Sequence, residues 1–243
     1  MTSVFDDPGL FGRLWAAGYD TGANPDPGPA VDFLAGLAQG GPVLELAIGT
    51  GRVALPLAAR GLVVEGVEAS PEMVARMRAK PGGAELPVTI GNMADVPVPG
   101  PFRLVYLVFN TLFNLVDADR QADCFRNVAR VLAPDGAFVI EAFVPDPRDF
   151  DRDEQVQVRE VTEDSATIRL HRYDRAAQRF IRQTITFDSQ GVHLKPFATR
   201  YCWPDQIDRM AAQAGLRLAE RYADWQRRPF NAASTHHISV YRR

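Results

Sequence analysis

Gly49 and Gly51 stand two residues apart where an apolar run, VLELAI, gives way to a polar turn and then to a second apolar run, the whole covering residues 43–61. Glycines so spaced let a ligand approach the backbone where side chains would hold it off, which suits a nucleotide-bearing ligand. Glu68 follows about twenty residues on, where a carboxylate can accept hydrogen bonds from ribose hydroxyls. Glu45 is an acid inside the first apolar run, costly to bury unless it is hydrogen-bonded beside a polar site. The same turn, GTGRVA, also fits the G-x-G-x-x-A of a dinucleotide fold, so the turn alone leaves its ligand open.

Such residues need a rigid frame. Apolar runs at 43–48, 62–67, 87–91, 102–109 and 137–143 read as strands, and 51–60, 71–79 and 119–132 read as helices between them. LVYLVF and AFVI are apolar throughout, as a sheet covered on both faces requires. Ser70, Pro71 and Glu72 offer a capping hydroxyl, a proline at the first helical position and an acid in the first turn. Phe125, Val128, Ala129 and Leu132 make one helical stripe. This half predicts an α/β, doubly wound parallel sheet.

Ahead of it, Phe11, Leu14, Trp15 and Tyr19 share helical spacing over 10–19, and a short helix is expected at 30–38 beyond a Gly/Pro-rich loop. After residue 143 comes an acidic, proline-containing connector, VPDPRDFDRDE. Then QVQVREV, ATIRLHRY, FIRQTITF and VHLKPFATRY alternate with period two, as an antiparallel meander does. A helix at 204–214 and strands at 216–222 and 237–241 complete the expectation.

A nicotinamide enzyme of the short-chain kind needs a tyrosine four residues before a lysine. Lys80 and Lys195 are the only lysines, and neither has one. Other dehydrogenases carry a second large domain, for which the meander is too small. The run ELAIGTG, residues 45–51, instead resembles the E/D-x-G-x-G-x-G signature of class I S-adenosylmethionine (SAM)-dependent methyltransferases. VVEGVEASPEMV is similar to their second motif, IGNMADV to the adenine-reading loop, LVYLVFNTLFNL to the fourth motif and LAPDGAFVIEAF to the later L-x-P-G-G strand. These arrive in order across residues 15 to 143. Within that family, the sheet-plus-meander pattern and YCWPDQI…AGL…YADW look most like natural-product N-methyltransferases, the amino-sugar N,N-dimethyltransferases and the linaridin peptide α-N-methyltransferases.

The resemblance implies a mostly parallel, seven-stranded Rossmann-like sheet with an added antiparallel β meander. It divides the chain into an N-terminal helical lid (1–40), a SAM-binding core (41–147 and 201–243) and a β insertion roofing the substrate (148–200). It implies a donor, SAM, leaving as S-adenosylhomocysteine, held by Tyr19, Glu45, Ala47, Gly49, Gly51, Arg52, Glu68, Ala69, Met73, Asn92, Met93, Phe109 and Asn110. Three positions depart from the pattern. Ala47 replaces a glycine, acceptable if its dihedrals are ordinary; Asn92 replaces an aspartate, keeping an amide oxygen for the adenine amino group; Asp135 replaces a turn glycine.

Methyl transfer is an in-line displacement, in which much of the catalysis is positioning. A neutral amine attacks unaided, whereas a hydroxyl usually needs a base. The expected acceptor is therefore an amine of a small molecule or peptide. Trp15, Phe113, Asn114, Glu141 and Trp225 are the candidate substrate residues, with Glu141 holding an ammonium and the 223–236 connector forming a wall. His236 and Tyr201 are the candidate bases if an O-methyltransferase is the right reading. A catalytically silent SAM-binding module and an NAD(P)-binding oxidoreductase each fit part of the same pattern. His171 and His193 alternate within strands and read as structural, and the Arg-rich QRR at 226–228 as solvated or as a carboxylate or phosphate contact.

At 243 residues and a formal net charge of −3, the chain gives no electrostatic reason to expect nucleic acid. No basic-then-apolar leader or membrane-spanning run is present, so a cytoplasmic monomer or homodimer without membrane contact is expected. Cys124 and Cys202 match no metal-site spacing, no metal is expected, and Cys124 should be a buried free thiol.

Overall fold

A computed structural model describes residues 3–21, 24–150 and 153–243. Gly22 and Ala23 of the expected Gly/Pro-rich loop, and Asp151 and Arg152 of the expected connector, lie outside the described residues.

The first sheet is built by β1 (Val43–Leu46), β2 (Val64–Glu68), β3 (Val88–Ile90), β4 (Phe102–Leu107), β5 (Leu132–Phe143), β10 (Arg217–Tyr222) and β11 (His236–Arg242). Their order is β10-β11-β5-β4-β1-β2-β3, with all pairs parallel except the two that β11 makes. One face is covered by α2 (Gly28–Ala38), α3 (Ala54–Ala59) and α4 (Pro71–Arg78), and the other by α5 (Ala118–Val131) and α6 (Pro204–Gln213). The central strands β1, β4 and β5 are largely apolar because both faces are covered there: Leu44, Leu104, Val105, Phe138 and Val139 are all fully buried. The Ser70 hydroxyl caps α4 by accepting the Met73 amide at 3.2 Å, and Asp117 caps α5. Cys124 is a buried free thiol, pushed up to about 12 by desolvation.

Three expected boundaries move by three residues or more, and one of them is the strand expected at 137–143, which already begins at Leu132. The helix foreseen over 10–19 is α1 (Leu10–Trp15), followed by a tighter 3-10 turn over Ala16–Thr21. The helix foreseen from 51 begins at Ala54, because left-handed backbone at Ala47, Gly49 and Gly51 holds the preceding turn out of helical geometry.

The second sheet is an antiparallel meander of β6 (Glu154–Val161), β7 (Ala166–Asp174), β8 (Arg179–Asp188) and β9 (Gly191–Arg200), in that order. Its alternation is inverted relative to an ordinary core sheet. Val156 and Val158 are 67% and 69% exposed, and Val192 and Leu194 are also turned to solvent. The opposite face carries Gln155, Gln157, Arg169, His171, Tyr173, Phe180 and Arg182, matched across the strands as His171 with Arg182 and Tyr173 with Phe180. No helix among the described residues is long and apolar enough to cross a membrane.

Candidate active site

Two cavities open at the carboxyl ends of β1, β2 and β4, where an open α/β sheet leaves its crevice. The first, of about 630 Å³, is lined by the expected residues Tyr19, Ala47, Gly49, Glu68, Ala69, Met73, Asn92, Met93 and Phe109. Phe5, Leu10 and Phe11 close it from the N-terminal segment. The second, of about 560 Å³, lies under the meander and includes Asn110, Phe113, Asn114 and Tyr201. Phe109, Asn114 and Phe197 line both, so the two cavities meet there.

In the first cavity, Glu68 ends β2 with one carboxylate oxygen accepting the Gly49 amide and the other the Ser70 amide, both at 2.9 Å. Burial raises its pKa, opposed by the Ser70, Gly49 and Ala69 amides. Each oxygen keeps acceptor capacity for a ligand. Space is open where a side chain on Gly49 would begin, the nearest atom being the Ala47 carbonyl oxygen at 3.9 Å. Asn92 spends one acceptor on the Ala94 amide at 2.9 Å, in a turn that presents its side chain to the cavity.

Several expected site residues do other work. Gly51 does not line the cavity: its φ is +75°, and a Cβ there would meet Met77 Cγ at 2.7 Å, so helix packing and backbone conformation require this glycine. Glu45 lies beneath the turn, 3% exposed, accepting from the Tyr106 hydroxyl at 2.7 Å, with its pKa pushed up to about 8 by burial. Arg52 lies outside the cavity, donating to the Pro25 carbonyl and stacking over Phe109 at 3.7 Å. Ala47 lies in the cavity wall but at φ 54°, so the condition of ordinary dihedrals fails. A β-carbon there costs about 1–2 kcal/mol.

Glu141 and Trp225 line neither cavity. The Glu141 carboxylate accepts the Phe109 amide at 2.7 Å with one oxygen and the Trp225 indole N–H at 3.0 Å with the other, away from both cavities. It holds a turn in which Phe109 and Asn110 both have φ 61°, and Asn110 returns the tie by accepting the Phe143 amide at 2.6 Å. Trp225 packs edge-on against Phe33 of α2, on the face that α2, α3 and α4 cover, and no residue of the 223–236 connector lines either cavity. His236 is exposed, bonded to Thr235, and outside both cavities. Trp15 lines neither cavity as such; Phe11 stacks on it, and Lys195 and Arg182 lie 5.1 and 5.7 Å from its ring centroid.

The second cavity brings in residues read from sequence as structural. His171 faces it with both ring nitrogens buried and without a hydrogen-bond partner. Burial lowers its pKa, reinforced by Arg182, Arg169 and Arg159, so the imidazole is neutral at neutral pH. The Tyr201 phenol is held above its usual range by burial, which keeps it protonated. The signal that could have found His171 is its period-two phase with Tyr173, and that phase does not say which face is inward.

Residues 43–136 match the profile of the family described as a methyltransferase domain. Over nearly its full length the chain is similar to the solved CcbJ methyltransferase of Streptomyces caelestis, with 36% identity, 97% of this chain and 98% of that one covered, and a TM-score of 0.88. It is 27% identical to the cypemycin N-terminal methyltransferase of a Streptomyces species over 84% of each chain. It is 29% identical to the putative methyltransferase YqeM of Bacillus subtilis (strain 168), where the alignment spans 50% of this chain and about half of that protein, 53%.

Proposed function

This chain belongs to the SAM-dependent methyltransferases, and from that premise we propose that it methylates an amine nitrogen of a small molecule or peptide, in the making of a natural product. The observation that carries this reading is the junction at Phe109, Asn114 and Phe197 between a cavity suited to the donor and a separate cavity whose facing base is a neutral histidine. Bound SAM supplies an electrophilic methyl carbon on a sulfonium.

The residues fit that donor. Glu68 offers acceptors to ribose hydroxyls, Gly49 leaves the backbone approachable, and Met73, Met93 and Asn92 surround the position an adenine would take. Residues 1–40 act as a lid in this reading, and 148–200 as the roof over the acceptor. Within the second cavity, Phe113 and Asn114 border the approach to the methyl group, and Asn114 can orient the amine by hydrogen bonding. The amine must arrive deprotonated, and His171, neutral and without a partner of its own, takes the proton that methylation leaves on nitrogen.

That a similar protein is an N-terminal methyltransferase supports nitrogen as the acceptor atom. A hydroxyl acceptor is less well served: it needs its proton drawn off during attack, and burial and the neighbouring arginines make His171 a weak base, while His236 is outside both cavities and the Tyr201 phenol is held protonated. Incubation with methyl-¹³C SAM and paired acceptors, peptides and amino sugars with free or acetylated amines, tests the proposal by NMR of the product. Labelled N-methyl signals only from free amines are expected. An O-methyl product, or turnover of the acetylated members, would overturn it.

A further inference from the structure

We propose that the acceptor carries an oxyanion, a carboxylate or phosphate, and that Arg182 in the roof of the second cavity binds it. The inference deepens the methyltransferase reading above and rests on its assignment of the second cavity to the acceptor.

Arg182 projects from β8 into that cavity, directly across the sheet from His171 on one side and Phe197 on the other. Its guanidinium lies over the Phe197 ring at 4.6 Å, and its Nε is buried without a hydrogen-bond partner. No ion pair with a described carboxylate compensates it. The unanswered polar atoms continue along the same face: Arg169 Nε, both nitrogens of His171 and the Thr184 hydroxyl, with Trp15 Nε1 opposite. Arg159, Arg169 and Lys195 surround Arg182 with further positive charge, and they too form no ion pair with a described residue. No carboxylate among the described residues lines the cavity. The described acids in this face's phase that lie farther along the strands, Glu160 and Asp188, stand outside the lining: Glu160 is opposite Thr167 beyond a register shift, and Asp188 ends β8, bonded to His193.

A half-buried guanidinium whose Nε is shut off from water and has no anion is unfavourable unless its function supplies one. Arginine's planar fork matches carboxylate and phosphate oxygens, and neighbouring cations raise the local attraction for an anion. Tyr173 and Phe180, stacked with centroids 5.0 Å apart beside His171, give the remainder of such a molecule an aromatic wall. Arg148 also lines the cavity, with its charge answered by Asp146, so it is not the group assigned here.

The test uses binding and needs no natural acceptor. Phenylacetate, phenyl phosphate and phenylacetamide are titrated calorimetrically into the full-length protein saturated with S-adenosylhomocysteine. At least one anion should bind about tenfold or more tightly than the amide. The tighter anion identifies carboxylate or phosphate as the source. Arg182→Met should erase the preference and Arg182→Lys keep part of it, with S-adenosylhomocysteine affinity unchanged in both. Equal binding of anions and amide by the wild-type protein, or binding by none of them, overturns the proposal even if Arg182→Met does not fold. So does a folded Arg182→Met variant that keeps the preference. Failure here leaves nitrogen methylation standing, because that is read from the product; an O-methyl product would leave the anion site standing.

Discussion

The two sheets of this protein follow opposite rules. In the seven-stranded sheet both faces are covered, and the buried carboxyl of Glu45 within it is answered by the Tyr106 hydroxyl. In the four-stranded sheet the apolar residues Val156, Val158 and Leu194 face solvent, while arginine, histidine and glutamine face inward. A sheet that turns its polar face inward is covering something other than a core. The first sheet holds the donor side rigid by burial; the second presents unsatisfied polar groups to a space.

That contrast can be broken or sharpened by substitution. The largest effect is expected at Glu141, where the rigid sheet ties down the Phe109–Asn110 turn. Glu141→Leu leaves the Phe109 amide and the Trp225 indole without their acceptor and should cost about 2–4 kcal/mol in urea unfolding. A loss below about 1 kcal/mol would mean the turn holds itself. Next, Glu68→Ala should weaken SAM binding by about 1.5–3 kcal/mol in calorimetry, while acceptor KM at saturating donor stays unchanged. A parallel rise in acceptor KM would show that the two cavities do not act separately.

A smaller effect of the opposite sign is expected at Ala47. Relief of left-handed strain in Ala47→Gly, offset by the greater freedom of glycine in the unfolded chain, should stabilise the fold by about 0.5–1 kcal/mol in the same unfolding measurement. Destabilisation would show that the methyl group packs. The smallest belongs to the outer face of the second sheet. Val158→Thr should change stability by no more than about 0.5 kcal/mol and leave donor affinity and turnover unaltered. A clear loss would place a core where only solvent is described.

The sequence made much of this legible wherever backbone chemistry announces itself. Strands apolar on both faces, the Ser70–Pro71 helix start and the turn around Gly49 each have one physical explanation, and the elements form close to where they were expected. Glu68 was readable because its spacing from the turn follows from one strand-helix-strand unit. The roof was less legible. Alternation reveals which residues share a face; choosing the inward face by hydrophobicity fails when a cavity lies beneath, and His171 therefore reads as structural from sequence. Glu141 misleads for a related reason: an acid at a strand end looks equally ready for a substrate or for a backbone amide. Its partner Trp225 lies far along the chain, and nothing local in either residue pairs them.

The order of strands also bears on how the molecule is made. β11, residues 236–242, follows every other strand in synthesis yet takes an interior place between β5 and β10. Until it leaves the ribosomal tunnel, the apolar edge of β5 has no neighbour, and β10 has nothing to pair with. An open apolar edge is a template for joining other chains. A chain cut short before residue 236 would therefore keep its donor motifs and yet expose this edge of β5.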